Sequence, residues 1–373
     1  MKVNPIEDAI EAIRNGKMVI LVDDEDRENE GDLVLAAESI TPEAIQFMAD
    51  KARGLICLTL SAERIERLGL KPMVTSNQAP LGTAFTNSID AASLSHHEGV
   101  TAKGRAKTIL TAVDDDVRPE HIQTPGFIYP LRARDGGVLV RTGQTEGSVD
   151  LARLAGWKPA GVICEIMSED GTMARLPELL EFGAQHDMPV VTVADLIEYR
   201  LRTESFVHRT SEAKLPTAHG EFDILTYGSS LEDTTHVVLQ YGDIQEAEAP
   251  LVRVHRANLL EDVFQAGTVG TDKLGAALKR IAEEGAGLLV YLRGDGHATS
   301  MSADLQRQVG RGPVNPEAAM MDFRDYGLGA QILADLGIQK MRVLTNNPKP
   351  FKGLSGFGIQ ITEWLPFETG KSS

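Results

Sequence analysis

Between Lys17 and Asp32 the chain reads Lys-Met-Val-Ile-Leu-Val-Asp-Asp-Glu-Asp-Arg-Glu-Asn-Glu-Gly-Asp, seven carboxylates and one arginine set directly against an apolar run. Carboxylates at this density repel one another unless cations or substrate hydroxyls hold them. Their chemistry would be the binding of a hard cation and the transfer of protons. Glu28 and Glu30 alternate about Asn29, so in extended chain they share a face, and Gly31 permits a close turn before Asp32. A helix-loop-helix calcium site fits poorly, because the position five after Asp24 is Asn29 and not glycine. A solvated surface loop is the competing reading.

Three other segments carry candidate chemistry. Gly136 to Glu146 reads as strand residues leading to Arg141, a glycine at Gly143 for close backbone approach, and a helix from Ser148. Backbone N–H groups at such a helix start, with Arg141, suit a phosphate; a plain strand-to-helix turn is the alternative. Glu165 lies inside Val162-Ile-Cys-Glu-Ile-Met167, where a carboxylate is costly unless paired and where burial would raise its pKa toward that of a proton-transfer group. Cys57, inside the strand-like Gly54–Leu60, is either a small core residue or part of a site. His96, His97 and Glu98 suggest a metal at first sight, but adjacent histidines in extended chain face opposite ways, so Leu94 to Thr101 reads as a polar loop.

The elements that must position these groups alternate between helix and apolar strand. Pro5 to Gly16 is an amphipathic helix, and strands flank the acidic loop at Lys17–Val22 and Leu33–Ala37. Thr41-Pro42-Glu43 starts a capped helix to about Ala52, Gly82–Asp90 alternates like a strand, and a helix runs from Thr101 to Leu110. Leu176–His186 is helical, and Pro189–Asp195 is a strand running on to Arg200. The stretch from Arg202 to Gly220 is polar and connecting, and strand-like runs follow at Phe222–Tyr227, His236–Tyr241 and Leu251–His255. The expected class is α+β with α/β-type layers, in two domains, residues 1–205 and 206–373.

Composition narrows the partners. A net charge of −17, from 37 basic and 54 acidic residues, disfavours nucleic acid and anionic membranes. It does not disfavour a phosphorylated metabolite, for which a few arginines and a cation reverse the potential locally. No apolar stretch approaches a membrane span, and the first residues carry no apolar signal region, so the expectation is a cytoplasmic protein. The two cysteines, Cys57 and Cys164, suit a reducing compartment.

The run Asp-Asp-Glu-Asp-Arg-Glu-Asn-Glu-Gly-Asp resembles the signature loop of 3,4-dihydroxy-2-butanone 4-phosphate synthase, a lyase of riboflavin biosynthesis that converts ribulose 5-phosphate to a four-carbon phosphate and formate. Arg141-x-Gly-x-Thr145 with Glu146, then Leu-Ala-Arg-Leu-Ala-Gly and Pro159-Ala-Gly-Val-Ile-Cys-Glu-Ile166, continue the likeness. It implies that Arg27, Glu28, Asp32, Arg141, Gly143, Gln144, Thr145 and Glu165 contact substrate, that Glu28 and the residue at 144 bind Mg2+ (or Mn2+), and that Glu165, Glu30 and Cys57 stand at the chemistry. It further implies a homodimer whose site spans two subunits. Two departures stand out: Gln144 and Phe127 occupy positions where the family has histidines. Glutamine still offers a hard carbonyl oxygen, whereas phenylalanine can neither carry a proton nor donate a hydrogen bond. Arg105 and Thr108 match the family, but Gly104 replaces an acidic residue.

Phe323–Leu333, Arg342–Pro348 and Gly356–Ile359 resemble GTP cyclohydrolase II, a family that opens guanine with a zinc-bound water held by three cysteines. No cysteine follows Cys164: Asn258 stands at the first position, Gln265–Thr271 replaces the pair, and His255 and His297 cannot rebuild a three-thiolate site. Gly294–His297 replaces a phosphate turn, Leu305–Glu317 looks shortened, and Pro350 replaces a lysine, while Asp322, Arg324 and Thr345 match. The expected protein is therefore a Mg2+-dependent synthase fused to a cyclohydrolase-like domain without zinc or cyclohydrolase activity. The competing expectation is a binding or regulatory homologue in which both sites have decayed.

Overall fold

A computed structural model describes residues 2–25, 27–231, 233–258, 262–264, 272–293, 327–346 and 357–367. Contacts divide the chain into two units, Met1–Tyr199 and Arg200–Ser373. Both contain a seven-stranded sheet.

In the first unit the strands are β1 (Val19–Val22), β2 (Gly31–Ala36), β3 (Cys57–Leu60), β4 (Ile89–Ala91), β5 (Ile122–Arg132), β6 (Ala160–Glu165) and β7 (Val190–Thr192), ordered β4-β5-β3-β6-β2-β1-β7. The helices are α1 (Ile6–Arg14), α2 (Pro42–Phe47), α3 (Ala62–Arg67), α4 (His96–Gly99), α5 (Ala102–Val113), α6 (Gln144–Leu154), α7 (Leu176–His186) and α8 (Val193–Thr203). Strand parity sorts the side chains. Ile20, Val22, Leu33, Leu35, Leu58, Leu60, Val162 and Cys164 point into one core with Ile45, Ile109 and Leu179 from α2, α5 and α7 and with Met48 just past α2. The alternate residues, Leu21, Asp32, Cys57, Thr59 and Glu165, line the opposite face, where α6 lies. Thr59 Oγ1 is 2.8 Å from Ser148 Oγ there, and Gly147 packs on Leu21.

Several elements differ from the sequence reading. Residues 94–101 are not a plain loop but contain α4, whose Glu98 carboxylate accepts from Ser95 N (2.9 Å) and Oγ (2.6 Å). The residues before Arg141 are not a strand: Gly137–Leu139 forms a single 3-10 turn and α6 begins at Gln144, four residues earlier than Ser148. Asp150 on α6 explains the curl, accepting Val138 N at 2.8 Å and leaving no room for a Cβ at Gly137, whose φ is +64°. The strand around 82–90 shrinks to β4, and that at 189–195 to β7 because α8 starts at Val193.

The second unit has β8 (Val207–Thr217), β9 (Gly220–Ser229), β10 (Thr235–Tyr241), β11 (Leu251–Arg256), β12 (Gly287–Leu292), β13 (Lys340–Leu344) and β14 (Gln360–Leu365), ordered β14-β13-β11-β12-β10-β9-β8. Helix α9 (Lys273–Glu284) puts Ala277 and Ile281 against Phe222, Leu251 and Leu289, while a helix through residues 327–335 puts Ile332 and Leu333 against Leu225, Val238 and Val290 on the other face. The polar connector expected before Gly220 is in fact β8, an edge strand almost wholly exposed along its length. An edge strand with no core face shows no apolar alternation, so the sequence pattern could not display it. The fold class is α+β in both units.

Candidate active site

The first site residues are placed by sheet register. β2 and β6 run antiparallel with Asp32 opposite Glu165, and β3 and β6 with Cys57 opposite Ile163. Asp32, Glu165 and Cys57 therefore share the α6 face at one end of the sheet, while Cys164 faces the core. Asp32 is buried. Burial, then the nearby Glu165 carboxylate, drives its pKa well above the usual carboxylate range. Burial and Glu28 push Glu30 the same way. Cys57 is buried too, and burial, Glu165 and Asp32 raise its pKa, so it faces the site as a neutral thiol. Cys164 is pushed up to about 12, first by burial and then by Glu165.

Glu165 is the last residue of β6, and its Oε2 accepts from Leu55 N at 2.8 Å, which pairs the carboxylate as its apolar setting demanded. Gly54 makes that approach possible. A Cβ there would lie 2.3 Å from Glu165 O and 2.6 Å from Oε2. Gly54→Ala is expected to cost about 1–3 kcal/mol in backbone displacement and to cut turnover with it, checked by thermal unfolding and product assay; an unchanged melting temperature would contradict this contact.

The acidic loop is organised by a residue the sequence reading passed over. The side chain of Asp23 is fully buried. It accepts from Arg27 Nη1 at 2.6 Å, Glu30 N at 2.9 Å and Glu28 N at 3.2 Å. Arg27 Nη1 also meets Glu28 Oε2 at 2.5 Å and Gln144 Oε1 at 3.0 Å. Burial opposes the charge of Arg27, yet Glu28 and Asp23 outweigh it and raise its pKa. The loop is not extended. Asn29 has φ +55°, and Arg175 Nη1 donates to the Glu28 carbonyl at 2.9 Å and to that of Asn29. Glu28 and Glu30 therefore are not set on a common face by strand alternation; Asp23 from within and Arg175 from outside hold the loop.

The first turn of α6 completes the cluster. Gln144 and Thr145 are nearly buried, and Gln144 Nε2 donates to Glu30 O at 3.4 Å. A Cβ on Gly143 would lie 2.8 Å from Arg141 Nη1 and 2.9 Å from Arg27 Nη2, so two guanidinium groups flank this helix start. Arg141 Nη1 is paired at 2.7 Å with Glu146, whose other oxygen accepts Arg134 N at 3.0 Å. Phe127 is elsewhere: it lies on β5, beyond β3 from Glu165, with its N–H on Asp90 Oδ1 at 3.0 Å. Arg105, on α5, is half-buried, its pKa lowered by burial, and its Nε has no partner. Asp23 carried one local signal, its i, i+4 spacing to Arg27, and Glu146 stood beside the Arg-x-Gly-x-Thr run; Arg175 had none.

The family profile described as 3,4-dihydroxy-2-butanone 4-phosphate synthase matches residues 7–199, over half of the chain. The chain belongs to that family. A second profile, GTP cyclohydrolase II, matches residues 208–366. "Riboflavin biosynthesis protein RibBA" of Aquifex aeolicus (strain VF5) is 50% identical over 381 residues, covering 98% of this chain and 93% of that protein. Among solved structures, RibBX, described as a two-domain 3,4-dihydroxy-2-butanone 4-phosphate synthase from A. baumannii, superposes with a TM-score of 0.81 at 39% identity, covering 97% of this chain and 99% of that one. A 3,4-dihydroxy-2-butanone 4-phosphate synthase in complex with two magnesium ions gives a TM-score of 0.51 at 40% identity, over 54% of this chain and 98% of that one. The two-unit α+β architecture is thus that of a synthase fold followed by a cyclohydrolase-II-like fold.

In the second unit, Asn258 N donates to Asp262 Oδ2 at 2.9 Å, and Asp262 also meets Tyr291 OH and His255 Nε2, each at 2.8 Å. The other sequence-derived positions there, Gln265–Thr271, Gly294–His297, Leu305–Glu317, Asp322, Arg324 and Pro350, lie outside the described residues. No helix of the described residues is long and apolar enough to cross a membrane.

In a synthase site of this kind, burial holds the Asp32 pKa well above the usual carboxylate range, and the sign of its effect on stability follows. A raised carboxyl pKa contributes stability that is present at low pH and lost as pH climbs from the ordinary carboxylate value toward the raised one. Asp32→Asn is expected to unfold at the same temperature as the parent in acid and at a higher one in alkali; a parent–variant gap that does not change with pH would refute a protonated Asp32.

Proposed function

We propose that the first unit converts D-ribulose 5-phosphate to L-3,4-dihydroxy-2-butanone 4-phosphate and formate, in riboflavin biosynthesis. The observation that carries this reading is the pairing of Asp32 with Glu165 across β2 and β6, next in the chain to an Arg27–Glu30 loop that meets the first turn of α6. The substrate phosphate suits the N–H groups of that turn beside Thr145, with the guanidinium groups of Arg27 and Arg141 at Gly143. The sugar then extends toward Asp32 and Glu165.

Glu28 and Gln144 fit a hard divalent cation, Mg2+ or Mn2+. Their side-chain oxygens both approach one point, the position of Arg27 Nη1, within 2.5 and 3.0 Å. Among the described residues no three His, Cys, Asp or Glu side chains form a metal cluster, so such a cation would take the Glu28 carboxylate, the Gln144 amide oxygen and waters, with Asp23 Oδ2 also 2.6 Å from the same point. Bound there, it polarises the substrate carbonyl and hydroxyl as a Lewis acid. Proton transfer falls to the chain's own residues. Glu165 accepts the C3 proton to give an enediol, and Asp32, paired with it across β2 and β6, positions the substrate beside it. Glu30, raised in pKa beside Glu28, is placed to return a proton, and Cys57 shapes the wall as a neutral thiol. Skeletal rearrangement then releases C4 as formate. Phe127 takes no proton in this scheme.

The second unit we read as a cyclohydrolase-II-like fold without the parent chemistry. The chain's two cysteines, Cys57 and Cys164, are both buried in the first unit, so the second has no thiolate to hold zinc. The working assembly is a homodimer, and its setting the cytoplasm.

Formate release from ribulose 5-phosphate by the full chain, measured with Mg2+ and with EDTA, tests the assignment. Formate that needs the cation supports it. No formate from a folded protein would overturn it in favour of a binding role.

A further inference from the structure

One nitrogen atom stands where the cation belongs. Arg27 Nη1 lies 2.5 Å from Glu28 Oε2, 3.0 Å from Gln144 Oε1 and 2.6 Å from Asp23 Oδ2, with the side chain 9% exposed. Gln144 is held in place by its second contact, Nε2 to Glu30 O at 3.4 Å. The other end of the same guanidinium, Nη2, faces Gly143 at the start of α6, alongside Arg141. Arg27 thus reaches from the oxygens assigned to the cation to the helix turn assigned to the phosphate.

A divalent cation and an arginine cannot both share the Glu28 and Gln144 oxygens, since each is positive and each needs the same lone pairs. We propose that Arg27 is an internal stand-in for the cation, which the metal displaces, and that the displaced guanidinium is then taken up by the substrate phosphate. This rests on the assignment of the site above and deepens it. Asp23 Oδ2 is 2.6 Å from the same Nη1, so a displaced Arg27 gives up all three oxygens, and the pivot toward Gly143 is favourable when a phosphate is there to pair the buried charge. Metal and phosphate therefore bind cooperatively, with Arg27 as the element both of them bias, and the coupling is reciprocal.

Mn2+ binding, followed by loss of the free-ion electron paramagnetic resonance signal, reads this directly, with inorganic phosphate as the second probe. Arg27→Gln is expected to bind Mn2+ about tenfold more tightly than the parent when phosphate is absent. Phosphate should tighten Mn2+ binding severalfold in the parent and leave Arg27→Gln nearly unchanged. Arg175→Gln removes an equal charge that braces the same loop from outside, without vacating the two oxygens, and should not tighten Mn2+ binding. Equal tightening in both variants, an unchanged affinity in Arg27→Gln, or phosphate coupling that persists there would each overturn the stand-in role. Should Arg27→Gln fail to fold, a crystal structure of the parent with Mn2+ decides: the guanidinium off Glu28 supports the proposal, and Arg27 still on Glu28 beside bound Mn2+ refutes it. Formate release separates this inference from the one beneath it. An active enzyme with Arg27-independent Mn2+ affinity overturns the stand-in alone, whereas a protein that neither binds Mn2+ nor makes formate overturns both.

Discussion

Glu28→Gln is expected to slow formate release from ribulose 5-phosphate by about 10³-fold while melting within about 2 °C of the parent. The size follows from the role: Lewis-acid polarisation is worth several kcal/mol, and about 4 kcal/mol corresponds to three powers of ten. The structural effect should be small because the Glu28 side chain is 35% exposed. The Glu28–Arg27 pair is only one of three contacts that Nη1 makes, and partly exposed ion pairs contribute about 0–1 kcal/mol. Loss should appear in kcat as well as kcat/KM, since the cation acts on charge that develops during reaction. Raising Mg2+ tenfold should restore little of it. A variant that keeps a third of the parent rate at equal Mg2+ would remove Glu28 from the chemistry.

Asp23→Ala is expected to have the opposite profile, with stability suffering first. Its fully buried carboxylate is the common acceptor for the Arg27 guanidinium and for two loop N–H groups. Truncation leaves a largely buried cation short of a partner, a change that costs about 3–5 kcal/mol, with two amide donors also unsatisfied. For a unit of this size that is a fall in melting temperature on the order of 10 °C. Asp23→Asn, which keeps an acceptor oxygen but not the charge, should recover part of the loss. Chemical denaturation of the three proteins would measure it; a shift under about 1 kcal/mol in Asp23→Ala would mean that Arg175 alone holds the loop.

What could be read from the chain alone was set by how local each signal is. The acidic run stood out because it follows an apolar strand, and Glu165 because it is a carboxylate inside an apolar run. α1 was legible through its spacing and its proline and glycine punctuation, and α7 was legible as a helical run. The pairing of Asp32 with Glu165 was not, since it is a matter of register between strands far apart in sequence. Nor was it visible that Asp32 would be the buried acid, because burial belongs to the assembled sheet. β5, the longest strand of the first unit, was hidden by Pro125 and Gly126 in its interior. Arg175 donates to carbonyls of a loop far upstream, and main-chain acceptors leave no trace in side-chain chemistry. Gln144 illustrates the converse. Its identity was plain from the sequence, but that its carbonyl oxygen is already taken by Arg27 required the fold.

The exposed edge strand β8 has a consequence for the protein at high concentration. It donates its whole length to β9 yet sends almost nothing into the core, and it carries a bulge between Arg209 and Ser211, a Lys214–Asp223 contact at 2.5 Å, and Pro216. Charges, a kink and a proline make a poor template for strands of other molecules. The strand beneath it is different, with Phe222, Leu225 and Tyr227 buried along β9. β8 thus behaves as a protective hem: peeled away from β9, it would leave an apolar border open to self-association, and the first sign would be turbidity rather than lost catalysis.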